Sequence, residues 1–165
     1  TMTFTAQSIE PESIDLATLA TLAGDLSSEY LLQRIRERGH PFVRTAHGYL
    51  IQHLVAGSPT VTELASRMGV TQQAASKSVV ELETLGLVQR EGEAGDQRVR
   101  RVTLTDAGRE VVESGRAARA HLEAKLVEAL GDDVIATAKG ALAALIDAVG
   151  GIDDLRGRRV RARTV

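Results

Sequence analysis

The residue types that could do chemistry narrow quickly along this chain. Its 165 residues include no cysteine, which removes disulfides, thiolate metal ligands, a cysteine nucleophile and thiol redox sensing together. The histidines are His40, His47, His53 and His121, and no two share the i, i+4 spacing that sets a pair of ligands on one helix face, so no metal site is expected. Gly92-Glu93-Ala94-Gly95 lacks the lysine and following helix of a phosphate-binding loop. Neither catalysis nor a cofactor is expected. What remains is recognition chemistry. Gln72, Gln73, Ser76 and Lys77 fall within two helical turns. Glutamine bonds adenine in bidentate fashion, lysine reaches guanine or phosphate, and serine serves either. Asp96 and Arg98 stand two apart, on the same side of an extended chain. A guanidinium oriented by that carboxylate suits a minor groove, although a solvated charged turn explains the pair equally well.

These residues must be held by particular elements. Thr60-Val61-Thr62-Glu63 has the pattern of a capping box and starts a helix that should end near Met68, where Gly69 can turn left-handed. Thr71 is placed to cap a second helix from Gln72 to Leu85, ended by Gly86. On a helical wheel Ala74, Ala75, Ser78, Val79, Leu82 and Leu85 fall on one side and Gln72, Gln73, Ser76 and Lys77 on the other, with Val80 as an apolar exception on the outward side. Two packed helices with no role beyond packing would also show this pattern. Leu87 to Arg90 and Arg98 to Leu104 read as strands flanking a polar Gly92/Gly95 loop. Upstream, a long helix is expected from Pro11 to Arg38, its apolar face carrying Leu16, Leu19, Ala23, Leu26, Tyr30 and Leu31. A shorter helix should follow from Phe42 to Val55. Downstream, Thr105-Asp106 should cap a helix to about Leu130, and a last helix after Gly131 would present Val134, Ala138, Leu142, Leu145 and Val149. The expected fold is mainly α with a small β-hairpin.

Composition agrees with that reading. Hydrophobic residues make up 43% and aromatics 2% of the chain, so the core must be aliphatic, a palette that favours helices. The formal net charge is −2, unpromising for a partner of nucleic acid, but the charge is segregated. Glu10, Glu12, Asp15, Asp25 and Glu29 precede any basic residue, whereas Arg156, Arg158, Arg159, Arg161 and Arg163 crowd the end. Over residues 60–104 acids and bases balance one for one, so affinity for a polyanion would rest on a few placed cations. No basic-then-apolar leader is seen, Thr1 before Met2 is read as foreign to the natural start, and Lys139 and Asp147 interrupt the most apolar stretch. A cytoplasmic protein, neither exported nor membrane-inserted, is expected.

Asp96, Arg98, Val102, Leu104, Thr105 and Gly108 match the spacing of the wing signature of the MarR family, and Glu63-Leu64-Ala65, Leu82-Glu83 and Gly86-Leu87-Val88 match its preceding helices. The chain resembles that family by motif over roughly residues 60–108 and by layout in the flanking helices. Ser78 departs, standing where the family usually has a larger apolar residue. The resemblance implies a winged helix-turn-helix at 57–104, dimerisation helices at 10–56 and 105–150, and an arginine-rich tail at 151–165. It implies a homodimeric regulator, a repressor in the first instance, on a pseudo-palindromic operator in double-stranded DNA. The DNA-contacting set would be Thr71, Gln72, Gln73, Ser76, Lys77, Arg98 and Arg100, with Asp96 orienting the wing. It also implies a pocket for a small aromatic or anionic effector, for which Tyr30, Arg34, His40, Arg44 and His47 are the polar candidates, each equally explicable as an ordinary surface or internally bonded residue. The competing reading is a winged-helix protein-interaction module that does not bind DNA.

Overall fold

The computed structural model describes residues 10–93 and 96–151, and for 93 and 96–99 the backbone alone. The arginines of the expected tail lie outside the described residues. Among the described residues six α-helices and one antiparallel hairpin follow in the order α1 (Leu16–Glu37), α2 (Thr45–Val55), α3 (Val61–Met68), α4 (Gln72–Thr84), β1 (Val88–Glu93), β2 (Asp96–Leu104), α5 (Asp106–Leu130) and α6 (Asp132–Ala148).

The first helix begins later than expected. Pro11–Ser13 forms a separate 3-10 turn. Asp15 then caps α1, accepting from the Thr18 backbone N–H at 2.9 Å and the Thr18 hydroxyl at 2.8 Å. Helix α2 starts at Thr45 rather than Phe42, because Arg44 is extended (φ −121°, ψ 161°) and its N–H is taken by His47 Nδ1 at 3.3 Å. Phe42 is left exposed in the connection.

The core explains why α2 and α3 sit where they do. Leu50 of α2, Leu64 of α3, Val79 and Leu82 of α4 and Val102 of β2 are fully buried against one another, closed over by Leu32 and Ile35 of α1 and Val111 of α5. Helix α2 contacts α3, α4 and β2 on one side and the flanking helices α1 and α5 on the other. The hairpin pairs Val88 with Leu104 through Gly92 with Arg100, with a register shift between Gly92 and Glu93. It is longer than the sequence suggested, because pairing continues past Arg90 toward the glycines. Thr60 makes a bridge with Arg101, and the Val102 N–H donates to the Pro59 carbonyl at 2.9 Å. The hairpin is thereby joined to the segment that launches α3.

The outer helices do not pack as their wheels suggest. Tyr30 and Leu31 are half-buried, but Leu16, Ala23 and Leu26 of the expected α1 face are exposed, Leu26 by 73%. The buried residues of α1, Leu32 and Ile35, are both in its second half. In α6, Ile135 is the buried residue, while Val134, Leu142 and Val149 stay in solvent. Among the described residues, nothing covers these apolar side chains.

Candidate nucleic-acid interface

Helix α4 is held by two short devices at its start. Gly69 adopts φ +66°, ψ 31°, the left-handed conformation that lets the chain reverse after α3. Thr71 caps α4 by accepting the Ala74 N–H at 3.2 Å. The capping box at α3 is present in both directions, with Thr60 N–H donating to Glu63 at 2.7 Å and Glu63 N–H to the Thr60 hydroxyl at 3.2 Å. That backbone hydrogen bond, more than the nearby arginines, holds the Glu63 carboxyl below its ordinary pKa.

With Ala75, Val79 and Leu82 fully buried, the opposite side of α4 is turned outward. Thr71, Gln72, Gln73 and Lys77 are exposed and Ser76 is half-buried. Gln72, Gln73, Ser76, Lys77, Val80 and Glu81 surround one shallow, largely apolar hollow. Four of the seven expected contact residues, Gln72, Gln73, Ser76 and Lys77, therefore border one hollow. Ala74, expected to pack, is exposed instead, since it lies where α4 has only just left the turn. Arg100 is exposed on β2 opposite Gly92. Asp96 and Arg98 lie on the backbone of β2, but their side chains are outside the description.

The far end of α4 is locked to the hairpin by residues of the wing signature. The Thr105 hydroxyl donates to the Gly86 carbonyl at 2.6 Å and accepts the Gly108 N–H at 3.1 Å, so one side chain pins the α4–β1 turn and caps α5. Gly108 is required by proximity, because a Cβ there would stand 2.0 Å from the Leu87 carbonyl oxygen. Arg101, absent from the expected site, donates to the Ser58 carbonyl at 3.1 Å and lies 3.8 Å from Glu63, bracing the hairpin against α3.

The five effector-pocket candidates are not brought together. Of the five, only Arg44 lines the apolar cavity of about 140 Å³ that α1, α2 and α5 form from residues such as Leu32, Ile35, Ile51 and Val111, together with Arg119. Tyr30 and Arg34 belong to a different cleft with His121, and the Arg34 guanidinium lies 5.2 Å from the Tyr30 ring centroid. His40 faces Glu110 at 3.8 Å. His47 is buried and points at α4, its Nε2 3.5 Å from Glu81. The wheel of α2 does not reveal this, because partners on α4 are more than thirty residues away. No group of three or more His, Asp or Glu residues that could hold a metal ion occurs among the described residues, and no helix among them is long and apolar enough to cross a membrane.

The two linked helices α3 and α4, the hairpin and its brace to residues 59–60 define a winged helix-turn-helix. Residues 44–99 match the family model described as MarR family. Solved structures similar to it include the YusO protein of Bacillus subtilis, 25% identical with a TM-score of 0.64 over 86% of this chain and 99% of that one. MepR, a transcription regulator of the Staphylococcus aureus multidrug efflux pump MepA, is 19% identical with a TM-score of 0.64 over 82% and 99%, and has also been solved as a MepR–DNA complex. Apo MarR of E. coli is 19% identical with a TM-score of 0.60 over 81% and 98%. No curated protein sequence matches the chain.

Proposed function

We propose that this chain is a DNA-binding transcriptional regulator, a repressor acting as a homodimer on a pseudo-palindromic operator. The observation that carries the reading is the outward surface of α4, where Thr71, Gln72, Gln73 and Lys77 are exposed in the first two turns of a helix whose other side is buried. A helix entering the major groove reads base edges from those turns. Gln72 and Gln73 supply bidentate amides, Lys77 a cation and Ser76 a hydroxyl, while Arg98 and Arg100 extend the contact from the wing, Asp96 orienting Arg98. The DNA-bound form of MepR, of similar fold, supports the same use here. Dimerisation through α1, α5 and α6 is favoured by apolar side chains left exposed on all three, including Leu22, Leu26, Leu126, Leu130, Leu142 and Val149. Two-fold symmetry then calls for inverted half-sites. A regulator of this kind works where the DNA is, so the cytoplasm is its proposed compartment. The cavity between α1, α2 and α5 is the proposed effector site, its apolar wall and two arginines suiting a small anion with an aromatic or aliphatic body.

The test is selection of bound sequences from a random duplex library with the full chain. Enrichment of an inverted repeat, with half-site centres about one helical turn (~34 Å) apart, is expected. Absence of any enrichment at low salt would transfer the fold to the protein-interaction reading. On the selected duplex, Arg98→Ala should weaken binding with the dimer intact. Gln73→Ala should change sequence preference more than non-specific affinity, and an equal loss in both would make Gln73 a positioning residue.

A further inference from the structure

Helix α4 carries two acids, Glu81 and Glu83, against one base, Lys77. An acidic helix is poorly suited to approach phosphates, yet each acid is met by an arginine from another element. Arg44, the residue preceding α2, donates from Nη2 to Glu81 Oε2 at 2.6 Å. Arg90, on β1, places Nε 3.4 Å from Glu83 Oε2. Glu81 is the more consequential of the two, because it borders the hollow that Gln72, Gln73, Ser76 and Lys77 surround.

The contact at Glu81 is built rather than casual. The Arg44 backbone N–H uses His47 Nδ1 as its acceptor at 3.3 Å, which places the ring proton on Nε2. Nε2 faces Glu81 Oε2 at 3.5 Å and Arg44 Nη2 at 3.1 Å. Both nitrogens are then donors, so the Glu81 carboxylate is the group that satisfies them. A protonated ring would set a second N–H against the Arg44 amide. In keeping with this, burial, followed by the Arg44 charge, holds the pKa of His47 down, with Glu81 opposing. Arg44 is thus tied to the start of α2 by its backbone and to α4 by its guanidinium, from an otherwise exposed position.

We propose that Arg44 is a positioning residue for DNA recognition, one that masks the Glu81 carboxylate at the edge of the α4 reading surface so that this surface can approach phosphates. This rests on the DNA-binding reading above. The balance of charge over residues 60–104 makes such masking matter, since no surplus of cations exists to outweigh a bare acid.

The test measures the affinity of the full-length protein for the selected duplex, with Arg44→Gln, Arg44→Lys, Glu81→Gln and the Arg44→Gln/Glu81→Gln double variant, alongside a thermal melt of each. An exposed ion pair contributes little to folding, so the melts should move little. Arg44→Gln should weaken binding about tenfold at low salt, the order expected for a uniform charge repulsion at a few ångströms beyond contact, and less as salt rises. Glu81→Gln should bind at least as tightly as the unmodified protein, and the double variant should return to that level. Arg44→Lys should keep most of the affinity. A double variant as weak as Arg44→Gln would overturn the proposal and make Arg44 a direct DNA contact. Affinity unchanged in Arg44→Gln would overturn it as well, while the DNA reading stood. Failure of the unmodified protein to bind any duplex would remove the DNA reading and this inference together.

Discussion

A single hydroxyl does two jobs at Thr105, and the consequences of losing it can be separated from those of losing Gly108. Thr105→Ala removes the α5 cap and the hydrogen bond to the Gly86 carbonyl, a loss of about 2 kcal/mol in stability, while Thr105→Ser should keep most of it. Gly108→Ala forces a methyl against the Leu87 carbonyl oxygen and should destabilise by about 3 kcal/mol, because the obstacle is backbone. Urea denaturation of the three variants would check both, and equal losses for Ala and Ser at 105 would dismiss the hydroxyl as the cause. His47 gives a pH prediction. Its folded pKa lies below the ordinary 6.5, so as pH falls below about 6.5 the unfolded chain takes up the proton first. Stability from the neutral ring is complete above that pH and is lost as pH falls toward the folded pKa. His47→Gln should flatten this part of the stability–pH curve measured from pH 7.5 to 5.5, and an unchanged slope would contradict it. The motif residues Thr105 and Gly108 were legible in the sequence because their partners are close along the chain or fixed by the wing signature. The partners of His47 and Arg44 were not, because only tertiary packing brings Glu81 to them.

The helix-turn-helix is where sequence and structure agree most closely, and the reason is local. Thr60, Glu63, Gly69 and Thr71 each act within a few residues of themselves, through caps and one left-handed turn, so spacing alone was enough to place α3 and α4. That locality makes the turn a sensitive point. Gly69→Ala would put a Cβ at φ +66° and should cost about 1 kcal/mol, with Gly69→Asn costing less because asparagine tolerates that region. Thermal melts decide it, and equal stability for alanine and glycine would show that the turn relaxes. Element starts set by longer-range geometry were less legible. Phe42 and Val43 continue the α2 pattern, yet Arg44 stays extended, and the expected first helix starts at Pro11 although its apolar face begins only at Leu16, just after the Asp15 cap. The effector candidates scattered for the same reason: polarity on a helix does not say which neighbour it faces, and the cavity is walled mainly by aliphatic residues.

At the scale of the molecule, the winged unit has a closed core while α1 and α6 leave rows of leucine and valine in water. The wheels of α1 and α6 chose faces that stay largely exposed among the described residues, while the buried Leu32, Ile35 and Ile135 lie outside those faces. If a second copy covers them, Leu142→Asp should yield a monomer or a largely unfolded chain in sedimentation equilibrium, and the melting temperature of the unmodified protein should rise with concentration. A monomer with a concentration-independent melt would refute the dimer. One feature of the hairpin then acquires a mechanical meaning. β2 ends at Leu104 and α5 begins at Asp106, with Thr105 bonded to both sides of the junction. The 25 residues of α5 form a rod about 37 Å long at 1.5 Å per residue. With no slack at the joint, the rod is a lever: a tilt of about 5° at its far end sweeps the wing by roughly 3 Å, comparable to a hydrogen-bond length.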